Sequence, residues 1–248
     1  MVNEPDSFLS HLIELRDRLV RALIAVLVVF VCVFPWASNL FDLLAHPLML
    51  ALPEGTKMLA TGVVTPFLIP VKVAMMVALA IALPYVLYQA WAFVAPGLYM
   101  HEKRFVLPMV FASTVLFFVG VAFCYFFVFG VVFKFVYSIA PQSITVAPDI
   151  ENYFNFVIGM FLAFGVTFEV PIAVILLVKL NMVSVAKLRE IRPYVIVGAF
   201  VLAAVVTPPD VLSQVMLAIP IWFLYEAGII VASFVARPKA PEESGTGA

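Results

Sequence analysis

Apolar residues run along this chain in long blocks separated by short polar or charged stretches. Set against turn and charge signals, they predict six helical spans, at 20–36, 68–92, 106–136, 154–178, 193–206 and 211–233. A helix needs about 20 predominantly apolar residues to cross ~30 Å of hydrocarbon. The third block is longer than that, so part of it is expected to tilt or protrude. The fifth is short: its 14 residues cover only about 21 Å. The pattern predicts an all-α polytopic integral membrane protein with six transmembrane helices. It forms one transmembrane domain over 1–236, followed by a small, polar tail, 237–248, expected to be disordered.

Charge orients the spans. Arg16, Arg18 and Arg21 precede the first, Lys103 and Arg104 fall after the second, and Lys179, Lys187, Arg189 and Arg192 fall after the fourth. With Arg237 and Lys239 in the tail, eleven of the fourteen basic residues lie on one side. The positive-inside rule makes that side the cytoplasm and puts both termini there. Lys72 and Lys134, near span ends, are expected to snorkel outward. Asp42, Glu54, Asp149, Glu151 and Asp210 mark the other side. There the 38–51 stretch, SNLFDLLAHPLMLA, is expected to form an interfacial helix interrupted at Pro47.

Composition narrows the function. The chain is 65% hydrophobic and 12% charged, where an ordinary soluble domain is about a quarter charged. A net charge of −1 gives no basic field for nucleic acid. Cys32 and Cys124 lie in apolar runs and are expected to act as small buried hydrophobes. There is no Cys/His cluster with metal-ligand spacing, no HExxH, no GxSxG and no Walker loop. Neither enzyme activity nor a cofactor or metal is expected. The polar, acidic start, MVNEPDSFLS, does not resemble a cleavable signal peptide.

Three carboxylates carry the candidate chemistry. Residues 7–21 form an amphipathic helix with Glu14, Asp17, Arg18 and Arg21 on one face and Phe8, Leu12, Leu15 and Leu19 on another. Glu14 either pairs with Arg18 one turn on or presents its carboxylate to a cationic ligand. Glu102 lies in the loop after the Pro96-Gly97 step. Either His101, Lys103 and Arg104 neutralise it, or it takes an arginine from a partner through a charge-assisted contact. Two separate carboxylates suit a ligand with two adjacent arginines. Glu169 is the only charge between Asn152 and Lys179. A charge at that depth costs about 2.5–3.5 kcal/mol even on the cheaper insertion scales. Pro171 lacks the donor that would meet the Thr167 carbonyl, so Thr167 and Glu169 together predict a kinked polar notch. That notch is either a protonated helix–helix contact or a site.

Several segments, in order, resemble the TatC family, the multi-span core of the twin-arginine protein translocase. They are HLIELRDRL (11–19), the P-F-x-x-P-x-K pattern (66–72), YQAWAFVAPGLYMHEKR (88–104), AFGVTFEVP (163–171), RPYVIVGAF (192–200) and TPPDVLSQ (207–214). The similarity runs from about residue 7 to 235. It implies six helices, both termini in the cytoplasm, and recognition of twin-arginine signal peptides on folded precursors, with transport driven by the proton motive force. It assigns signal-peptide contacts to Glu14, Arg16, Phe93 and Glu102. The family's buried glutamate falls on Glu169. Contacts with single-span TatA- and TatB-like subunits fall near Thr207 and Gln214. A homo-oligomeric receptor complex in the cytoplasmic membrane is also implied. On the residues alone, a small proton-coupled carrier using Glu169 is the alternative.

Overall fold

The computed structural model describes residues 4–51, 58–94, 106–139, 147–207 and 210–235. These residues are almost wholly helical. The one β contact among them is an isolated parallel bridge between Leu59 and Asp149. The elements are α1 (Glu4–Val33), a 3₁₀ turn (Phe34–Trp36), α2 (Ala37–Ala51), α3 (Thr65–Val94), α4 (Val106–Phe123), a π-helical turn (Cys124–Val128), α5 (Phe129–Ile139), α6 (Ile150–Phe168), α7 (Val170–Lys179), α8 (Val185–Glu190), α9 (Arg192–Val206) and α10 (Val211–Val235). Among the described residues, five apolar helical runs are long enough to cross a membrane: Leu9–His46, Thr65–Phe93, Leu107–Val136, Ile150–Lys179 and Val211–Phe234. The fifth predicted block is the shorter helix Arg192–Val206.

The solvent that suits this surface is lipid. Among the described side chains of α1 only Ala22 and Val26 are buried, while Leu23, Ile24, Leu27, Val28 and Val31 point outward. A face that apolar would associate in water; hydrocarbon takes it without cost. Cys32 lies on this outward surface, so the expectation of two buried cysteines holds only for Cys124.

Packing is pairwise: α1 along α3, α4 against α6, α7 and α9 against α10. The larger core surrounds α6, where Phe154, Val157, Met160 and Phe164 are fully enclosed with Ile69, Val73 and Phe129. A smaller core joins Val174, Val178, Leu188, Tyr225, Ile229 and Ala232. Two glycines bring α4 and α6 together. A Cβ on Gly120 would stand 2.6 Å from the Phe164 carbonyl oxygen, and one on Gly165 would enter the Phe117 ring.

The expected interruption at Pro47 does not occur: α2 runs unbroken from Ala37 to Ala51. Proline cannot donate to the carbonyl four residues back, which is that of Leu43. The Tyr125 hydroxyl, carried on the π-helical turn, donates to that carbonyl at 3.1 Å. Tyr153 donates to the Leu44 carbonyl at 2.8 Å. A long-range donor thus replaces the missing one. Lys72, expected to snorkel outward, reaches the acidic start of α6. Its Nζ donates to Asn155 Oδ1 at 3.1 Å and lies 3.6 Å from Glu151. Beside it, Asp149 caps α6 by accepting from Asn152 N–H at 2.9 Å and from Thr61 Oγ1 at 2.6 Å.

Candidate functional site

The last turn of α3 faces the first turns of α1. His11, Glu14 and Arg18 share one face of α1 by their three- and four-residue spacing. Arg18 Nε and Nη2 both donate to Glu14 Oε1, at 2.9 and 2.6 Å. Arg18 Nη1 reaches across to Gln89 Oε1 on α3 at 3.5 Å. Among the described residues, Glu14 Oε2 has only His11 Nδ1 nearby, at 4.0 Å. The His11 ring stacks on Phe93, with centroids 4.3 Å apart and planes 20° from parallel. Two of the residues expected to contact a ligand, Glu14 and Phe93, therefore meet in one cluster. Arg16 does not join them: its Nη2 pairs with Asp17 Oδ1 at 2.7 Å, and both side chains are well exposed. Glu102 lies outside the described residues.

Glu169 interrupts the helix between α6 and α7. Pro171 removes a donor as expected, but the Thr167 carbonyl is not left bare. The Glu169 N–H turns toward the Val166 and Thr167 carbonyls, and α7 restarts with Ala173 N–H donating to Glu169 O at 3.0 Å. The Glu169 carboxyl oxygens are shut off from the surface, and neither makes a hydrogen bond of good geometry among the described residues. Ser113 on α4 lies near enough to interact with the carboxyl. Its hydroxyl, fully buried, accepts from Trp91 Nε1–H of α3 at 3.1 Å. Trp91 and Ser113 were not singled out in the sequence. They sit on different spans, and no local spacing relates them to Glu169.

At the other end of α9, Thr207 is buried, with Oγ1 donating to the Ala203 carbonyl at 2.8 Å. Asp210 caps α10 by accepting from Ser213 N–H at 2.7 Å. The Gln214 N–H donates to the Asp210 carbonyl at 3.2 Å, and its side chain is half-buried. An Asp just ahead of an apolar run is a helix-start signal that the sequence does carry. Ser213 Oγ and Asp210 Oδ2 are buried without a partner among the described residues. Between α9 and α10, Arg192 clasps Glu226, with Nη2–H donating to Oε2 and Nε beside Oε1, both at 2.7 Å. No group of His, Cys, Asp and Glu among the described residues could hold a metal ion.

The matches to other proteins bear on this arrangement as a whole. The family model of the Sec-independent protein translocase protein TatC matches residues 10–220. The chain belongs to the TatC family. It is 48% identical over 243 residues to the Sec-independent protein translocase protein TatC of Haemophilus influenzae, covering 98% of this chain and 94% of that one. The TatC of Escherichia coli K12 is 46% identical with the same coverage. The fold matches the crystal structure of the twin-arginine translocase receptor TatC with a TM-score of 0.81 at 36% identity, covering 92% of this chain and 100% of that one. As a TatC protein the chain is a multi-pass membrane component of Sec-independent protein transport, with a transporter-type role rather than that of a catalyst. The carrier alternative finds no counterpart among these relatives.

Proposed function

We propose that this TatC protein is the signal-receiving core of a twin-arginine translocase in the cytoplasmic membrane. It crosses the bilayer six times, with both termini in the cytoplasm. The six-span domain covers 1–236, and 237–248 is a tail outside it. The basic-residue bias supports this orientation. Cysteines placed at Glu54 and Asp149 should react with an impermeant thiol reagent from outside, and one at Lys187 should not. Labelling at Lys187 in sealed cells would overturn it.

The observation that carries the receptor reading is the cluster of Glu14, His11 and Phe93 at the junction of α1 and α3. It sets a carboxylate beside an aromatic ring near the end of α3, whose last residue, Val94, stands eight residues before Glu102 in the sequence. Glu14 and Glu102 take the two adjacent arginines of a signal peptide, with Arg16 and Phe93 completing the contact. The apolar part of the signal then enters the bilayer-open side of the bundle toward Glu169 and Thr167. TatA- and TatB-like single-span subunits assemble along α9 and α10, near Thr207 and Gln214, in a complex with several copies of this chain. The proton motive force drives the transport step.

Binding of a twin-arginine peptide against its twin-lysine counterpart tests the reading. Glu102→Lys loses a charge-assisted contact of about 1.5–3 kcal/mol and adds repulsion, so affinity for the arginine peptide falls tenfold or more. Glu102→Gln loses less. Equal loss for both peptides, or none for either, would contradict direct arginine capture.

A further inference from the structure

The carboxylate that receives an arginine already holds one. Arg18 forks two donors onto Glu14 Oε1 and sends a third to Gln89 of α3. Its side chain is 23% exposed, against 70% for Arg16 two residues earlier. The guanidinium is thus set into the α1–α3 junction, while Arg16 lies out on the surface. Its fork geometry is the kind an incoming arginine would use. A second guanidinium cannot join the same carboxylate without like-charge repulsion. Only Oε2 is left, and it faces His11.

We propose that Arg18 is an internal competitor for the signal-peptide seat at Glu14, so that binding requires its displacement. This rests on the receptor reading of Glu14. It adds a residue that sets the threshold of recognition. The logic is that of a site populated in its open form only part of the time: apparent affinity falls by the open fraction. That factor is the same for every ligand directed to Glu14. Arg18 therefore weakens twin-arginine and twin-lysine peptides alike and leaves the ratio between them unchanged. A ligand that is already weak is the one pushed below a useful affinity. An exposed pair one helical turn apart would hold the seat closed only about twofold. The extra bond to Gln89 and the partial burial raise the expected factor to about three- to tenfold.

The test uses the full chain in lipid nanodiscs and two synthetic signal peptides, one twin-arginine and one twin-lysine. Arg18→Gln should tighten both by a common factor of about three to ten. In a Glu14→Gln background the same change should do nothing, because there is no seat left to compete for. Persistence of the gain without Glu14 would mean long-range repulsion rather than competition, and would overturn the proposal. So would Arg18→Gln leaving both affinities unchanged or weakening them, while Glu14→Gln still weakens arginine binding. If Glu14→Gln itself has no effect on the arginine peptide, it is the receptor reading of Glu14 that fails, a distinguishable result. Should Arg18→Gln not fold, Arg18→Lys carries the test. It loses the fork and should tighten both peptides by a smaller common factor; no tightening overturns the competition.

Discussion

Glu14 is about a third exposed with Arg18 forked onto one of its oxygens, whereas Glu169 is enclosed between spans with neither oxygen well bonded. The contrast separates two uses of a carboxylate. Near water, an ion pair has a small net free energy because solvation replaces what is lost. Its partner can be exchanged, which is what a reversible receptor needs. Inside the membrane no water stands ready, and an unsatisfied polar group carries its full desolvation cost. Such a group is stable only if the surrounding packing holds it there, and it gains most from a ligand that brings a donor. The glycine contacts that pull α4 against α6 supply that packing.

The sharpest way to break this comparison is at Glu169. Glu169→Ala removes the polar anchor offered to a ligand and should cost transport about five- to a hundredfold, the equivalent of leaving one buried donor of that ligand unsatisfied. Glu169→Gln keeps hydrogen bonding without ionisation and should retain most transport. If Gln is as inactive as Ala while both fold and bind signal, proton transfer at Glu169 is the better explanation. Glu169→Leu should leave the purified protein as stable as the native chain or raise Tm by a few degrees, since it deletes an unsatisfied group. A clear drop in Tm would show that the carboxyl has a partner.

A smaller effect is expected at the Arg192–Glu226 clasp, which joins the start of α9 to the middle of α10. Breaking a fully buried pair costs about 3–5 kcal/mol. Here the side chains are 41% and 22% exposed, so screening reduces the cost of Arg192→Leu to about 1–2 kcal/mol. Thermal unfolding in detergent measures it. A loss no larger than that of Lys187→Ala, which breaks the exposed pair to Glu190, would remove the clasp's structural role.

The smallest effect concerns Asp149 and depends on pH. The Thr61 hydroxyl and the Asn152 N–H hold its carboxyl below the usual aspartate range. A folded-state value below the unfolded one gives stability that is complete above the ordinary value of ~3.9 and is lost as pH falls through the depressed one. Asp149→Asn should abolish that part of the acid dependence and lower stability at pH 7 to 8 by the same small amount, down to the level the native chain shows in acid. An unchanged acid profile in Asp149→Asn would show that another group carries it.

Much of this architecture was legible in the chain. Each predicted block falls within a helical run, because length and apolarity are local properties, although the first run extends well beyond 20–36 on both sides. The break at Glu169 was visible in the Glu-Val-Pro order. The short fifth block was visible as a length, while the pairing of Arg192 at its start with Glu226 of α10 comes from the structure. What escaped depends on distant residues. The continuity of α2 through Pro47 needs Tyr125, aimed by a π-helical turn that no composition announces. The partner of Lys72 comes from α6. The Trp91–Ser113 bond beside Glu169 joins two spans through side chains that look unremarkable in sequence. At the receptor cluster Glu14 and Phe93 were anticipated, but His11, which connects them, was not. The Glu14–Arg18 pair was visible as spacing, and only its reach to Gln89 shows that it is set into the junction.

The central claim is that the α1–α3 junction receives consecutive arginines. The most direct measurement is site-specific photocrosslinking from positions 14, 93 and 102 to a twin-arginine signal peptide, in membranes containing the full chain. The account predicts crosslinks from all three positions, lost or strongly reduced when the arginines are replaced by lysines. Crosslinks that ignore that replacement, or that form at exposed lipid-facing positions such as Val28 but not at 14 and 93, would contradict it.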